Sequence, residues 1–209
     1  MATLYLRTFG GLSLEREGTP LPSLEAQRKA LALVAVLAAE QGGVPRERLM
    51  ALLWPESDEA RARGALKQMV YSLRRQLGAP GIVTGTAELR LDPASIESDV
   101  AAFRAALAAG DDAAAIRLHA GPFLDGVHID DADEFERWSD ETRRDLARRH
   151  GDALARCAAR AAADLRWTDA AEGWRRLEAV EPTSTRATLG LMEGLVALGD
   201  APAALRHGQ

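Results

Sequence analysis

The chain has 209 residues, 47% of them hydrophobic and 27% charged, which is the balance of a globular protein and excludes a disordered or fibrous one. Its single cysteine, Cys157, excludes an intrachain disulfide, a zinc ribbon and a CxxC redox pair, and fits a reducing, cytoplasmic setting; the longest apolar run, residues 30–39, is half of the ~20 residues that a membrane span needs, so no membrane partner is expected. The net charge of −5 hides an asymmetry: residues 1–93 carry 12 Lys+Arg against 10 Asp+Glu, net +2, and residues 94–209 carry 14 against 21, net −7.

In chain order, residues 4–8 and 12–15 read as two short strands separated by Gly10-Gly11, an opening hairpin. Ser23 is the expected N-cap of a helix running to about residue 41, stopped by Gly42-Gly43 and apolar on every side, hence buried. Pro45 stands where a first-turn proline is tolerated, opening a short helix over residues 46–53 that ends before Pro55, with Trp54 packed at its end. Ser57-Asp58-Glu59 supplies a cap and two acids to a helix reaching Leu77, before Gly78 and Pro80. Residues 82–84 and 89–91 form a second hairpin across residues 85–88.

From Ser98 onward the chain reads as all-helical, punctuated at Gly110-Asp111, Gly121-Pro122, Glu181-Pro182 and Gly199-Asp200. Residues 92–95 form the expected joint between a domain at 1–93 and one at 94–209. Asp200-Ala201-Pro202-Ala203-Ala204 repeats the opening of the helix at Trp167-Thr168-Asp169-Ala170-Ala171 some 31 residues after Asp169, near the roughly 34-residue period of tetratricopeptide helix pairs. A repeat that opens at Asp200 and has about two turns left leads us to expect truncation at the C-terminal end.

The helix ending at Leu77 carries the most information. Leu66, Met69, Val70, Leu73 and Leu77 form an apolar stripe that should face a core. A second stripe, Gly64, Lys67, Gln68, Tyr71, Arg74 and Arg75, is basic, amide-bearing and aromatic without a carboxylate, whereas solvated helix faces commonly mix signs. Together with Arg61 and Arg63 it suggests contact with DNA, cations neutralising phosphates and Gln68 reading an adenine edge.

The order hairpin, three helices, hairpin, with Leu52-Leu53-Trp54-Pro55, the run from Ala65 to Gly78 and the Ile82-Val83-Thr84 strand, resembles the winged helix-turn-helix of response-regulator type. Asp99-Val100-Ala101-Ala102-Phe103, Gly121-Pro122-Phe123-Leu124, Phe135-Glu136-Arg137-Trp138 and the Arg175-Arg176-Leu177 to Glu181-Pro182 segment resemble the bacterial transcriptional activation domain. Together they resemble regulators of the SARP type. That resemblance implies an α+β winged helix-turn-helix domain followed by an all-α, tetratricopeptide-like domain. It implies a recognition helix over residues 61–77 presenting Lys67, Gln68, Tyr71, Arg74 and Arg75, and a wing over residues 82–91 from which Arg90 reaches a phosphate. It further implies double-stranded DNA, RNA polymerase or its sigma subunit, and a second copy on DNA as partners. Gly64 departs from the family's Asn, and Ala87-Glu88-Leu89-Arg90 departs from its Gly-Tyr-Arg-Leu wing.

Other chemistry is poorly represented. Asp125, His128, Asp130, Asp131, Asp133 and Glu134 lack the spacing of a calcium loop and suit a helix N-terminus instead, so no metal is expected. There is no GxSxG, Cys-His or GxxxxGK[ST] pattern, so neither an enzyme nor a cofactor is expected. Arg143, Arg144, Arg148 and Arg149 should pair with Asp140, Glu141, Asp145 and Asp152, and Trp138, Trp167 and Trp174 should be core. The alternative to a DNA reader is a protein-interaction module whose winged helix binds another protein.

Overall fold

The computed structural model describes residues 4–21, 27–40 and 42–208, and divides into two compact units, residues 1–104 with 118–144 and residues 105–117 with 145–209. In the first, strand β1 (Leu4–Arg7) pairs antiparallel with β2 (Ser13–Arg16), Leu4 opposite Arg16 and Leu6 opposite Leu14. Leu4, Leu6 and Leu14 are buried while Tyr5 and Arg7 alternate outward, the period-two pattern of a sheet covered on one face. The expected hairpin is thus present, but it belongs to a four-stranded sheet. A short β3 (Thr19–Pro20) extends β2, and β7 (Ile96–Ser98) runs parallel to β1 on its other edge.

Helix α1 (Arg28–Ala39) is buried on every side from Ala30 to Ala39, as its composition demands. Ser23, the expected cap, lies outside the described residues, but Gln27 is the observed N-cap, so the helix starts later than expected, and it ends at Glu40, its C-cap, just short of the end expected near residue 41. Pro45 is not inside the next helix but is its N-cap: Val44–Pro45 forms β4, paired with β6, and α2 follows at Arg46–Leu53. Helix α3 (Glu59–Leu77) starts at Asp58, whose side chain accepts from the Arg61 backbone N–H at 2.9 Å, and ends at Gly78 in the left-handed region, φ 59°. The second hairpin forms as expected, β5 (Val83–Thr84) against β6 (Glu88–Leu91), giving a three-stranded sheet in the order β4-β6-β5.

The joint expected at residues 92–95 is a tight turn, not the edge of a unit. Asp92 accepts from the Ser95 hydroxyl at 2.7 Å and the Ala94 N–H at 3.1 Å, and the chain passes straight into β7. The reason lies in β1, whose free edge is satisfied by β7. Helix α4 (Asp99–Ala108) begins immediately after. Asp99 is buried, and its carboxylate accepts from the Thr8 N–H at 2.8 and 2.9 Å, the Phe9 N–H at 3.0 Å, the Thr8 hydroxyl and its own helix's Val100 N–H. Phe9, Phe103, Phe123 and His119 pack beyond it, with Phe123 bridging to Phe9 and Gly11, and Phe123, Phe135 and Trp138 continue the core. The Trp138 indole N–H donates to Glu40 at 3.0 Å.

The second unit is helical among the described residues: α5 (Asp112–Leu118), the later part of α6 (Asp133–Ala163), α7 (Trp167–Val180), α8 (Thr185–Ala197) and α9 (Ala201–His207). Asp112, also buried at a helix start, is gripped by both Arg156 Nε and Nη2, the closest contact 2.6 Å. Gly173 lets α7 approach α6, since a Cβ there would sit 2.9 Å from that of Ala158, and Leu154, Leu177 and Ala187 form a small core flanked by Trp174. Trp167, expected in a core, is instead half-exposed at the first position of α7. Arg143, Arg148 and Arg149 pair with Asp140 and Asp145 as expected, whereas Asp152 pairs with Arg186 across 34 residues.

Replacing Asp99 with Ala orphans two buried N–H groups at the end of β1, each costing about 1–3 kcal/mol, so urea unfolding should show a loss of about 3 kcal/mol or more; Thr8→Val, which removes only the hydroxyl bond, should cost about 1 kcal/mol. Burial between the two phenylalanines pushes the His119 imidazole below its ordinary 6.5, against opposing contributions from a backbone hydrogen bond and Asp99. The unfolded chain therefore binds a proton that the folded one resists. Its stabilising contribution is complete above 6.5 and is lost as pH falls through that value towards the depressed folded pKa. Unfolding measured at about pH 7.5 and 5.5 should show a smaller acid loss for His119→Phe than for the parent protein.

Candidate nucleic-acid interface

Helix α3 sorts its side chains around its axis at about 100° per residue. Ala62, Leu66, Val70, Leu73 and Leu77 are buried, and on the opposite side Gly64, Lys67, Gln68, Tyr71 and Arg75 are all exposed. Tyr71 is 58% exposed, and the Arg75 guanidinium stands 6.0 Å from its ring centroid, so the pair forms an aromatic and cationic ridge. No residue between 60 and 77 is acidic. At Gly64 a Cβ would meet nothing within 4 Å, which leaves this face open backbone at its N-terminal end.

The structure gathers only part of the set expected from sequence. Arg61 is exposed at the helix start, 3.1 Å from its own cap Asp58. Arg63 is exposed one turn before Lys67, about 40° from it around the helix, and pairs with Glu59 one turn back. Arg74 is turned inward: its Nη2 donates to the Val83 carbonyl at 2.6 Å, so it ties β5 to the end of α3 rather than standing free for a phosphate. The physical reason is position along the helix: residue 74 lies two turns after Lys67 on nearly the same line, in the last turn of α3, where the Val83 carbonyl is within reach. Arg90 is exposed on β6 but lies 3.3 Å from Glu88, the carboxylate that the hairpin carries near its tip.

Sequence reasoning missed a feature beside the ridge. The start of α1 brings Arg28 and Lys29 to a groove of about 490 Å³ along α3, shared with Gln27, Trp54, Gln68 and Ser72. The Lys29 ammonium lies 6.0 Å from the Trp54 ring centroid. Residues 40 apart in sequence leave no periodic trace of such a meeting; the Arg28-Lys29 pair was the only available signal.

Charge is also distributed differently from a basic front half and an acidic back half. The net −7 of residues 94–209 resides in residues 94–144, with 5 Lys+Arg against 12 Asp+Glu, while residues 145–209 hold 9 of each. Among the described residues, no group of three or more His, Cys, Asp or Glu side chains converges as metal ligands, and the His128 ring makes a 3.0 Å pair with Glu136. No helix among the described residues is long and apolar enough to cross a membrane.

No protein-family model matches the chain, and no characterised protein sequence does. The fold, however, occurs in a solved structure, that of Mycobacterium tuberculosis EmbR in complex with a low-affinity phosphopeptide, with a TM-score of 0.72 over 99% of this chain at 23% identity. The chain spans 58% of the length of that protein. The architecture of a mixed sheet region followed by a helix-rich part is therefore one that EmbR shares.

Arg74→Met should lower stability by about 1–3 kcal/mol through loss of a charged, half-buried hydrogen bond, whereas Arg75→Met, on the exposed ridge, should stay within about 0.5 kcal/mol of the parent in the same urea titration.

Proposed function

We propose that this chain is a sequence-specific DNA-binding transcriptional regulator of the SARP type, an activator acting in the cytoplasm and a binder rather than a catalyst. Residues 1–93 supply a winged helix-turn-helix, with α3 as recognition helix and β5–β6 as wing. The following helices, tetratricopeptide-like in arrangement, contact RNA polymerase or its sigma subunit and a second copy on DNA. The observation that carries this reading is the exposed ridge of α3, which presents Lys67, Gln68, Tyr71 and Arg75 without a carboxylate. An α-helix with its side chains is about 10–12 Å across and the major groove about 12 Å wide. In that setting Lys67 and Arg75 neutralise phosphates, Gln68 pairs bidentately with adenine, and Arg61 and Arg90 add backbone contacts. The fold shared with EmbR and the sequence resemblance to SARP-type regulators support the same reading.

A second reading, a protein-interaction module in a larger regulator, draws on the Arg90–Glu88 pair and the acidic charge of residues 94–144. Binding to mixed-sequence duplex at 50 and 200 mM salt separates the two. Four phosphate contacts give a log–log slope near −3.6 and roughly a hundredfold loss over that range, whereas a protein-binding module shows little binding at either. On a site selected from a random pool, Gln68→Ala should relax preference at one base pair by about 1–3 kcal/mol; equal losses on selected and random DNA would contradict its role.

A further inference from the structure

We infer that the groove between the start of α1 and α3 is a second phosphate-binding surface, gripping the DNA backbone on the side of the recognition helix opposite the wing. The inference rests on the reading of α3 as a DNA-binding helix and adds to it Arg28 and Lys29, which no periodicity in α3 could reveal.

The argument is one of directions around α3. Taking about 100° per residue, the buried stripe and the exposed ridge are nearly opposite. Arg74, which holds β5 through the Val83 carbonyl, falls roughly 80° to one side of the ridge. Ala65, Met69 and Ser72, which line the groove with Gln68, fall roughly 80–145° to the other side of the ridge's centre. A helix that fills the major groove has one phosphate backbone passing along each flank, so something on each flank must meet charge. The hairpin with Arg90 takes one, and the described start of α1 lies along the second.

The groove has the chemistry for that role. Arg28 and Lys29 provide two cations, Gln27 and Gln68 two amides and Ser72 a hydroxyl, and among the described residues no carboxylate borders it. Neither cation forms an ion pair with any described residue, although Arg28 also borders a neighbouring depression that holds Asp125. Trp54 under Lys29 limits where the ammonium can go, which lowers the entropy lost when it meets a phosphate. Gln68 lines the groove and also stands on the ridge, so base reading and backbone gripping are continuous. The ligand is the sugar-phosphate backbone itself, without sequence preference.

The test compares two double variants of the full chain, Arg28→Ala/Lys29→Ala and Lys67→Ala/Arg75→Ala, on a mixed-sequence duplex across a salt series. Arg28→Gln/Lys29→Gln serves as a bulk-preserving alternative, and thermal unfolding checks folding. Each pair should reduce the salt slope by about two units and weaken binding to all sequences alike. If the ridge variant shows that reduction while the α1 variants keep the parent's slope and affinity, the groove does not touch DNA and the inference fails alone. If the parent protein itself shows no salt-dependent binding, the reading of α3 fails and takes this inference with it.

Discussion

The carboxylate of Asp99 is the constraint on which the first unit is arranged. It receives the backbone N–H groups of Thr8 and Phe9, the two residues that follow β1, the Thr8 hydroxyl and the Val100 N–H in the first turn of its own helix, so one buried carboxylate ends a strand and starts a helix at the same point. A buried charge is tolerable only when such donors converge on it, and here they do. The consequences run in both directions along the chain. Strand β1 is held between β2 and β7, and Arg16 on β2 donates to the Leu77 carbonyl at 2.7 Å, linking the sheet to the end of the exposed-ridge helix. The second unit repeats the device at Asp112, with the difference that guanidinium groups rather than backbone amides meet the charge.

Where a segment's own pattern determines its structure, the sequence was readable. Helices α2 and α3 span the residues expected of them, although Pro45 and Asp58, not Ser57, stand at their N-caps; α1 is buried as its uniform apolarity requires, and both hairpins form. What was not readable is what depends on partners far along the chain. Strands β3, β4 and β7 have two or three residues each, too few for alternation to register, and exist only because a longer strand offers an edge. The turn at residues 92–95 looks like a linker because its polarity is local, whereas its place inside a unit is set by β1. In the candidate interface, the ridge was legible because it is periodic. Composition counts Arg63 and Arg74 with it because it sees charge without partners; Glu59 pairs with the first and the Val83 carbonyl holds the second.

Those partners change the electrostatic picture of α3. A basic run of five cations in residues 61–75 becomes a narrow ridge with Lys67 and Arg75 outward, Arg61 near its cap and Arg74 employed in fixing the hairpin. Fewer free cations on the ridge make the surroundings matter more, and the surroundings differ in sign: Arg28 and Lys29 lie beside it, while the strongly acidic stretch is confined to residues 94–144. Residues 145–209 are neutral overall, so any repulsion of polyanions belongs to the segment before them.

The parallel pairing of β1 with β7 joins residues at the two ends of a span of 92 positions, Leu4 with Ile96. An antiparallel hairpin can zip locally as soon as its turn is made, but this edge cannot close until nearly half of the chain is present. Closure at that sequence separation is entropically slow and raises the contact order of an otherwise locally wired, helix-rich protein. During synthesis, the opening hairpin would emerge from the ribosome with one hydrogen-bonding edge bare and would stay so until residue 96 had followed it. The order of completion therefore departs from the order of reading: helices α1 to α3 can form while the first strand waits for β7.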